Sequence, residues 1–188
     1  MATLLKLLFF FLVLVILGAG GYAQPDFEQT LRLAQQGHVE FQHLLGFKYE
    51  LGEGVPKDLQ EAVKWFRKAA EQGHAGAQHL LGFKYELGEG VPRDYQEAFK
   101  WHSKAANQGN AGSQNNLGRM YAFGEGVPRD YVLAHMWRNL ALFKVADEAG
   151  TRKRKARWLD DLEENMTTEQ IAEAQRLARE WKPKGKNE

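Results

Sequence analysis

The chain has 188 residues, of which 44% are hydrophobic and 26% are charged, and this composition excludes wholesale disorder. The 25 Lys and Arg residues nearly balance the 24 Asp and Glu residues. The sequence therefore lacks the positive field that gathers nucleic acid, and we expect no nucleic-acid partner. Because there is no cysteine, disulfides, thiolate zinc sites and cysteine nucleophiles are excluded as well.

Residues 1–23 have the pattern of a secretory signal peptide. A single basic residue, Lys6, precedes an apolar run over 7–17, and small residues lead to Ala23. We predict cleavage after Ala23 and export to the periplasm or the exterior, with no membrane span in the cleaved chain. The alternative is an uncleaved anchor, although the apolar run is shorter than the roughly 20 residues that span a bilayer.

The middle of the chain repeats with a period of 36 residues. The units are 38–73, 74–109 and 110–145. The first two are identical at 27 of 36 positions, whereas the second and third share 17, which indicates recent duplication. Residues 24–37 resemble the second half of a degenerate earlier unit.

Each unit is predicted to fold as two helices. In the first unit, a helix near 40–51 places Phe41 and Leu45 on one apolar face, and a Gly-Glu-Gly-Val-Pro connection ends it. Asp58 is predicted as the N-cap of the second helix, with Glu61 completing a capping box. One unit cannot bury both apolar stripes alone, so the units must stack into an all-α fold, an α-solenoid.

The repeated residues carry a family resemblance. The second unit supplies the pattern as Leu81-Gly82, Tyr85, Gly88, Gly90-Val91, Asp94, Ala98, Trp101, Lys104-Ala105-Ala106 and Gln108-Gly109. This pattern resembles the Sel-one-like repeat, a relative of the tetratricopeptide repeat. The resemblance implies a right-handed superhelix of antiparallel helix pairs. Leu44 and Leu80 depart from it, because they stand where the family commonly has the asparagine that Asn116 retains.

After the third unit, residues 146–182 are predicted to form capping helices that cover the last apolar face. The first would span 147–165. The second would open with a capping box between Thr167 and Gln170, and 183–188 would form a polar tail.

No residue pattern points to catalysis, a cofactor or a metal. The recurring histidines, His38 with His43 and His74 with His79, have an i, i+5 spacing that places them on different sides of a helix, and we expect no fixed carboxylate companions. We interpret the first member of each pair as a polar loop residue and the second as a residue that lines the inner surface. The glycine-rich loops lead to acidic caps that would repel phosphate.

Two further patterns have ordinary explanations. Ser103 and Ser113 are the only serines, and neither lies in a nucleophile elbow. The basic cluster at 152–157 is followed by acidic residues one turn later, which favours a salt-bridged helix over contact with an anionic lipid surface.

The remaining candidate is a binding surface. In stacked helix pairs the first helices line the concave side, so their off-core residues are predicted to contact a protein or peptide partner. These residues are His43, Leu44, Phe47, Lys48, His79, Leu80, Phe83, Lys84, Asn115, Asn116, Arg119 and Met120. The alternative is that Leu44, Leu80, Phe47 and Phe83 pack between units.

The sequence therefore predicts an exported, non-enzymatic scaffold or adaptor that binds a protein or peptide. A second hypothesis is a cell-envelope enzyme or a protein that binds β-lactam or peptidoglycan, because some cysteine-rich exported relatives in the family are associated with β-lactam binding. Their disulfide-stapled pattern is absent here. A third hypothesis is an adaptor anchored in the inner membrane.

Overall fold

The computed structural model describes residues 25–143 and 157–184, and every regular element in these two ranges is an α-helix. The helices are α1 Phe27–Gln35, α2 Val39–Leu51, α3 Leu59–Glu71, α4 Ala75–Leu87, α5 Tyr95–Asn107, α6 Ala111–Phe123, α7 Tyr131–Phe143, α8 over 157–163 and α9 Thr168–Glu180. From α1 to α7 each helix packs against the next, which confirms the predicted α-solenoid. The predicted signal peptide and most of the first capping helix lie outside the described residues.

One connection joins the two helices of every repeat. Gly52 ends α2 with a left-handed φ of 78°, and Gly88 and Gly124 end α4 and α6 in the same way. The chain then folds back, so that the N–H of Asp58 donates to the carbonyl of Tyr49 at 2.9 Å. The same bond recurs in the other two repeats. The predicted connection is therefore present, and a glycine in the left-handed conformation ends the first helix of each repeat.

The acidic N-caps form, but the predicted reciprocal bond does not. The carboxylate of Asp58 accepts a hydrogen bond from the N–H of Glu61 at 3.0 Å, and α5 and α7 begin in the same way. The Glu61 side chain pairs with Lys64 instead of returning to the cap. The reason is that the N–H of Asp58 already donates to Tyr49. The third repeat therefore loses no cap bond by having Leu133 in place of the glutamate.

Glycines let the two helices of a repeat approach closely. A Cβ on Gly46 of α2 would lie 2.5 Å from the ring of Phe66 on α3. In the second repeat a Cβ on Gly82 would lie 2.6 Å from the ring of His102. Such contacts are closer than packed atoms tolerate, so this helix separation requires glycine. Phe66 and His102 are fully buried at the contact.

Each repeat also rests on the backbone of the preceding repeat. Gly90 has a φ of 75°, and a Cβ there would collide with the carbonyl oxygen of Leu59 at the start of α3. Gly126 has the same relation to Tyr95 at the start of α5. Both the conformation and the lack of space require glycine, so the loop of one repeat is fixed against the second helix of the repeat before it.

Buried glutamines reinforce these contacts between repeats. One glutamine in each first helix donates through Nε2 to a carbonyl of the preceding helix, at distances of 2.9 to 3.3 Å. The pairs are Gln42 with Ala34, Gln78 with Ala70, and Gln114 with Ala106. Gln72 then donates to Oε1 of Gln42 at 2.7 Å, and Gln108 donates likewise to Gln78 at 2.8 Å. These bonds explain the glutamine of the Gln-Gly dipeptide that ends the first two repeats.

The C-terminal helices cover the end of the array. Trp181, at the end of α9, lies 6.1 Å from the ring of Trp137 on α7, and Ala178 joins the same core cluster. The predicted capping box is present: the Thr167 hydroxyl accepts from the N–H of Gln170, and the Gln170 side chain accepts from the N–H of Thr167. The last apolar face is therefore buried, as predicted.

Candidate protein-binding face

Each repeat brings together two side chains of its first helix and one of its second helix. These sets occupy positions 36 residues apart. They are His43, Phe47 and Phe66; His79, Phe83 and His102; and Asn115, Arg119 and Arg138. We refer to these nine residues as the trio row.

In the first two repeats the trio row consists of rings packed edge to face. The centroids of His43 and Phe47 lie 4.9 Å apart, and those of Phe47 and Phe66 lie 5.3 Å apart. In the second repeat, Phe83 lies 5.5 Å from His102 at an interplanar angle of 89°. Phe66 and His102 are fully buried, so they form a floor beneath partly exposed rings. This packing holds the exposed rings in fixed positions.

In the third repeat the same positions are amide and guanidinium groups. Arg138 donates from Nη1 to the side-chain oxygen of Asn115, and its guanidinium carbon lies 3.9 Å from the ring centroid of Trp158 on α8. Unlike Phe66 and His102, Arg138 is only half-buried. The row therefore changes from aromatic to cationic along the array.

The structure divides the twelve residues that sequence predicts as partner contacts into two groups. Eight are partly exposed, namely His43, Leu44, Phe47, His79, Leu80, Phe83, Asn115 and Arg119. Four are buried, namely Lys48, Lys84, Asn116 and Met120. The exposure assumed for these four is wrong. Met120 is fully buried because its side of α6 packs in one cluster with Ala98 of α5 and Trp137 of α7.

Lys84 is buried because it connects two repeats. Its Nζ bonds Glu50 of the first repeat and also lies 2.7 Å from Glu89 in its own connecting loop. Burial alone would lower the pKa of Lys84, but the hydrogen bonds that its Nζ donates to both carboxylates keep that pKa above its usual value. This ammonium group is committed to the seam between repeats and does not face a partner.

In the third repeat the cation of the equivalent ion pair stands one position earlier in the first helix. Met120 stands at the position of Lys84, and the neighbouring Arg119 takes over the charge. Nη2 of Arg119 lies 2.7 Å from Glu86 of the second repeat, and Nη1 pairs with Glu125 in its own loop. Both seams therefore keep one cation that joins a glutamate of the preceding repeat to a glutamate of its own loop.

A chain of polar side chains crosses the seam between the second and third repeats. The Ser113 hydroxyl lies 2.8 Å from Nδ1 of His79 and 3.3 Å from Nδ1 of His102. Nε2 of His102 lies 3.2 Å from the Asn116 amide nitrogen and 3.1 Å from Glu86. A serine, an imidazole and a glutamate in sequence resemble a nucleophile and its base. Ser113 is fully buried, however, so a substrate cannot reach its hydroxyl, and we interpret the chain as structural.

The first seam joins its histidines differently. His74 is the N-cap of α4, and its Nδ1 accepts from the N–H of Ala77 at 2.9 Å. The ring proton is therefore on Nε2, which lies 3.0 Å from a carboxylate oxygen of Glu40. The expectation that the histidines lack carboxylate companions is wrong for His74. The ring of His43 lies 4.3 Å away, so imidazoles from two successive repeats stack at this seam.

Burial keeps two of the trio-row imidazoles neutral. Burial and the neighbouring His74 lower the pKa of His43 to about 4. Burial and the neighbouring His102 lower the pKa of His79 to about 4, and a nearby glutamate opposes the shift in each case. Near neutral pH these side chains therefore act as uncharged rings that can accept hydrogen bonds.

The described part of the chain shows neither a metal cluster nor a spanning helix. Within 25–143 and 157–184, no three His, Asp or Glu side chains are grouped so that they could hold a metal ion. In the same two ranges, no helix combines the length and the apolarity that crossing a bilayer requires. The chemistry on this face is that of rings, amides and guanidinium groups.

Stacked helix pairs that share one row of side chains define a helical-repeat protein of the α-solenoid class. The family model for the Sel1 repeat matches residues 39–74, 75–110 and 111–142. The chain therefore belongs to the Sel1 repeat family, whose repeats commonly mediate protein–protein interaction. This confirms the resemblance seen in the sequence.

Solved structures are similar as well. One is the crystal structure of a Sel1 repeat protein from Oxalobacter formigenes. It superposes on this chain with a TM-score of 0.62 and 31% sequence identity, and the match covers 76% of this chain and 65% of that one. The crystal structure of c5321, a protective antigen present in uropathogenic Escherichia coli strains and displaying an SLR fold, is 29% identical with a TM-score of 0.59. That match covers 82% of this chain and 40% of the antigen. The chain thus spans less than two thirds of either protein. No curated protein matches the sequence significantly.

Proposed function

We propose that this chain is an exported, non-enzymatic scaffold that binds a protein or peptide partner through the concave side of the array, along the trio row. The observation that carries the proposal is the pair of partly exposed rings, Phe47 and Phe83, that rest on the buried side chains of Phe66 and His102. Membership of a family that commonly binds proteins and is generally non-catalytic supports it.

The packing of the rings suits recognition. An aromatic side chain that is already held in one orientation loses little conformational entropy when a partner covers it. Phe83 contacts both His79 and His102, with centroid distances of 4.8 and 5.5 Å, so its orientation is set before binding. Anchored aromatic residues of this kind carry much of the affinity in protein interfaces.

The cations that bridge the seams between repeats support the same function indirectly. Lys84 and Arg119 each pair with one carboxylate of the preceding repeat and with one carboxylate of their own loop. These pairs fix the spacing between successive trios, and a partner that reads several repeats needs that spacing to be constant. We assign Lys84 a role in shape, in place of direct contact with the partner.

Export remains part of the proposal because of the signal pattern in residues 1–23. The test is to express the full chain in a Gram-negative bacterium, fractionate the cells and weigh the protein by mass spectrometry. We expect a periplasmic product that lacks the first 23 residues. A membrane-bound product of full mass would replace export by the anchored adaptor.

The binding face is tested by site-specific crosslinking in the cells that naturally make the protein. A photoreactive phenylalanine analogue is placed at Phe83 or at Phe47, and the matched control carries it at Leu87. Leu87 lies one helical turn beyond Phe83 on α4 and is 62% exposed, so it reports contact outside the trio row.

We expect the analogue at Phe83 and at Phe47 to capture the same defined protein, and the analogue at Leu87 to capture it at least about tenfold less. Changing Leu80 and Phe83 together to Ser should abolish the crosslink formed from Phe47 while helicity is unchanged. Equal yields from Phe83 and Leu87 would contradict the proposed face.

A further inference from the structure

The trio row ends in a guanidinium group that reaches the surface. Phe66 and His102 are fully buried, but Arg138, at the equivalent position of the third repeat, is only half-buried. A Cβ on Gly118 would lie 2.7 Å from Cγ of Arg138, so the stem of the side chain is held against α6. Trp158 stacks on the guanidinium from α8. The charge is thus held in place at one end of the row.

The hydrogen-bond partners of Arg138 differ from those of other arginines in the chain. Arg119 pairs with two carboxylates, and so does Arg176 on α9. Within 25–143 and 157–184, no carboxylate lies within ion-pair distance of Arg138. Its Nη1 donates to the neutral amide of Asn115, and its buried Nε has no acceptor among the residues that the structure describes. A guanidinium has five N–H donors, so most of those on Arg138 have no acceptor in the part of the chain that the structure describes.

The surroundings of Arg138 make its unpaired charge costly. Burial, together with the positive charge of Arg119, lowers the pKa of Arg138 to about 10. An exposed arginine would be solvated by water, but a guanidinium beneath Trp158 has lost part of that solvation. A carboxylate brought by a partner would offset both the desolvation and the repulsion from Arg119.

We propose that Arg138, together with Asn115, binds a carboxylate of the partner at the third-repeat end of the trio row, beside an apolar segment that covers Phe47 and Phe83. This inference rests on the proposed function and adds the chemistry and the direction of the bound segment. The carboxylate belongs either to an Asp or Glu side chain or to the C-terminus of the partner.

The experiment selects peptides from one random library, prepared in two forms with a free C-terminal carboxylate or a C-terminal amide. The proteins are the wild-type chain, Arg138→Gln, Asn115→Asp and the control Arg176→Gln, whose arginine is exposed on α9. Asn115→Asp supplies Arg138 with an internal carboxylate and should compete with the partner. Circular dichroism checks that each variant is folded.

We expect the wild type and Arg176→Gln to enrich apolar peptides that carry a carboxylate. Replacing that carboxylate by the amide should weaken binding at least about tenfold at low salt. Arg138→Gln and Asn115→Asp should lose this preference and still bind the apolar part. Dependence on the free C-terminus alone would assign the carboxylate to the chain end, and dependence on Asp or Glu in amidated peptides would assign it to a side chain.

Other outcomes overturn the inference in distinguishable ways. Apolar peptides enriched with no carboxylate preference would refute the role of Arg138 and leave the proposed function standing. Failure of the wild type to enrich any peptide would refute the proposed function and the inference together. If Arg138→Gln does not fold, the comparison of acid and amide peptides on the wild type and on Asn115→Asp decides the question.

Discussion

The seam between the first and second repeats and the seam between the second and third share a backbone but differ in their side chains. Gly90 and Gly126 press against the preceding helix in the same way, and Gln78 and Gln114 bond equivalent carbonyls. The bridging cation, by contrast, moves to a neighbouring position. Backbone contacts therefore set the stacking geometry, whereas the residue that carries the bridging charge can change as long as one cation spans the seam.

The same comparison explains how the binding face can vary. Once the seam is fixed by glycines and glutamines, the trio row is free to change from His79 and Phe83 to Asn115 and Arg119 without disturbing the stack. In the third repeat the seam and the trio row share one residue, because Arg119 both bridges the seam and contributes to the cationic end of the trio row.

The largest effect is expected from the backbone contact. Gly90→Ala should destabilise the chain by about 3 kcal/mol, because the new Cβ combines a left-handed conformation with a collision against the carbonyl of Leu59. Gly88→Ala is the matched control. Its φ of 73° is nearly the same as the 75° of Gly90, but a Cβ added there would lie 3.3 Å from its nearest neighbour, Cβ of Arg93. The loss of stability should therefore be about 1 kcal/mol. Urea unfolding followed by circular dichroism measures both.

Similar losses for the two alanine variants would mean that conformation alone matters at Gly90. The seam would then depend on side chains, and the claim that backbone contacts set the stacking geometry would be wrong. A difference of about 2 kcal/mol would isolate the contribution of the close approach.

Most of the fold could be predicted from the sequence. The 36-residue period, the glycine helix ends and the aspartate caps all arise from local rules, so helices, repeats and fold class follow from the residues alone. The reciprocal bond from Glu61 does not follow, because the competing bond between Asp58 and Tyr49 exists only after the connection has folded.

The candidate site was predictable only in part. The spacing of a first helix identifies His43 and Phe47, but it does not reveal which long side chains turn into a seam, as Lys84 does. Sequence reasoning missed Arg138 because it considered first helices alone. A signal was present: Phe66, His102 and Arg138 occupy equivalent positions and all differ, although each follows an unchanged tryptophan.

Substitutions at Phe83 and Lys84 test whether the bridging cation of the first seam can move by one residue. Lys84→Met removes the bridge at the first seam and leaves Glu50 unpaired, which should cost about 2 kcal/mol. Phe83→Arg with Lys84→Met copies the third repeat into the second, since Arg119 and Met120 hold these places there. We expect the double variant to recover at least half of the loss, measured by urea unfolding at low and high salt.

The matched control for this experiment is Phe83→Arg alone, which adds a cation while Lys84 is still present. It should be less stable than the double variant, because two cations would compete for Glu50. If the double variant is no more stable than Lys84→Met, the position of the charge matters as much as its presence, and the two seams are not interchangeable.

The smallest effect is expected from pH, and it separates the first two repeats from the third. The pKa values of His43 and His79 fall from 6.5 in the unfolded chain to about 4 in the folded chain, whereas the third repeat has Asn115 at this position. Between these values the unfolded chain binds more protons. Stability is therefore complete above pH 6.5 and declines as the pH falls towards 4.

Because both rings are partly exposed, solvent screening should limit the loss to about 1 kcal/mol for each histidine. Replacing His43 and His79 by Asn copies the third repeat and should flatten the dependence of unfolding free energy on pH between 6.5 and about 5, a range above the ordinary pKa of carboxylates. Urea unfolding at each pH measures the slope. An unchanged slope in the double variant would show that these imidazoles are solvated in the folded chain, and that acid acts elsewhere in the array.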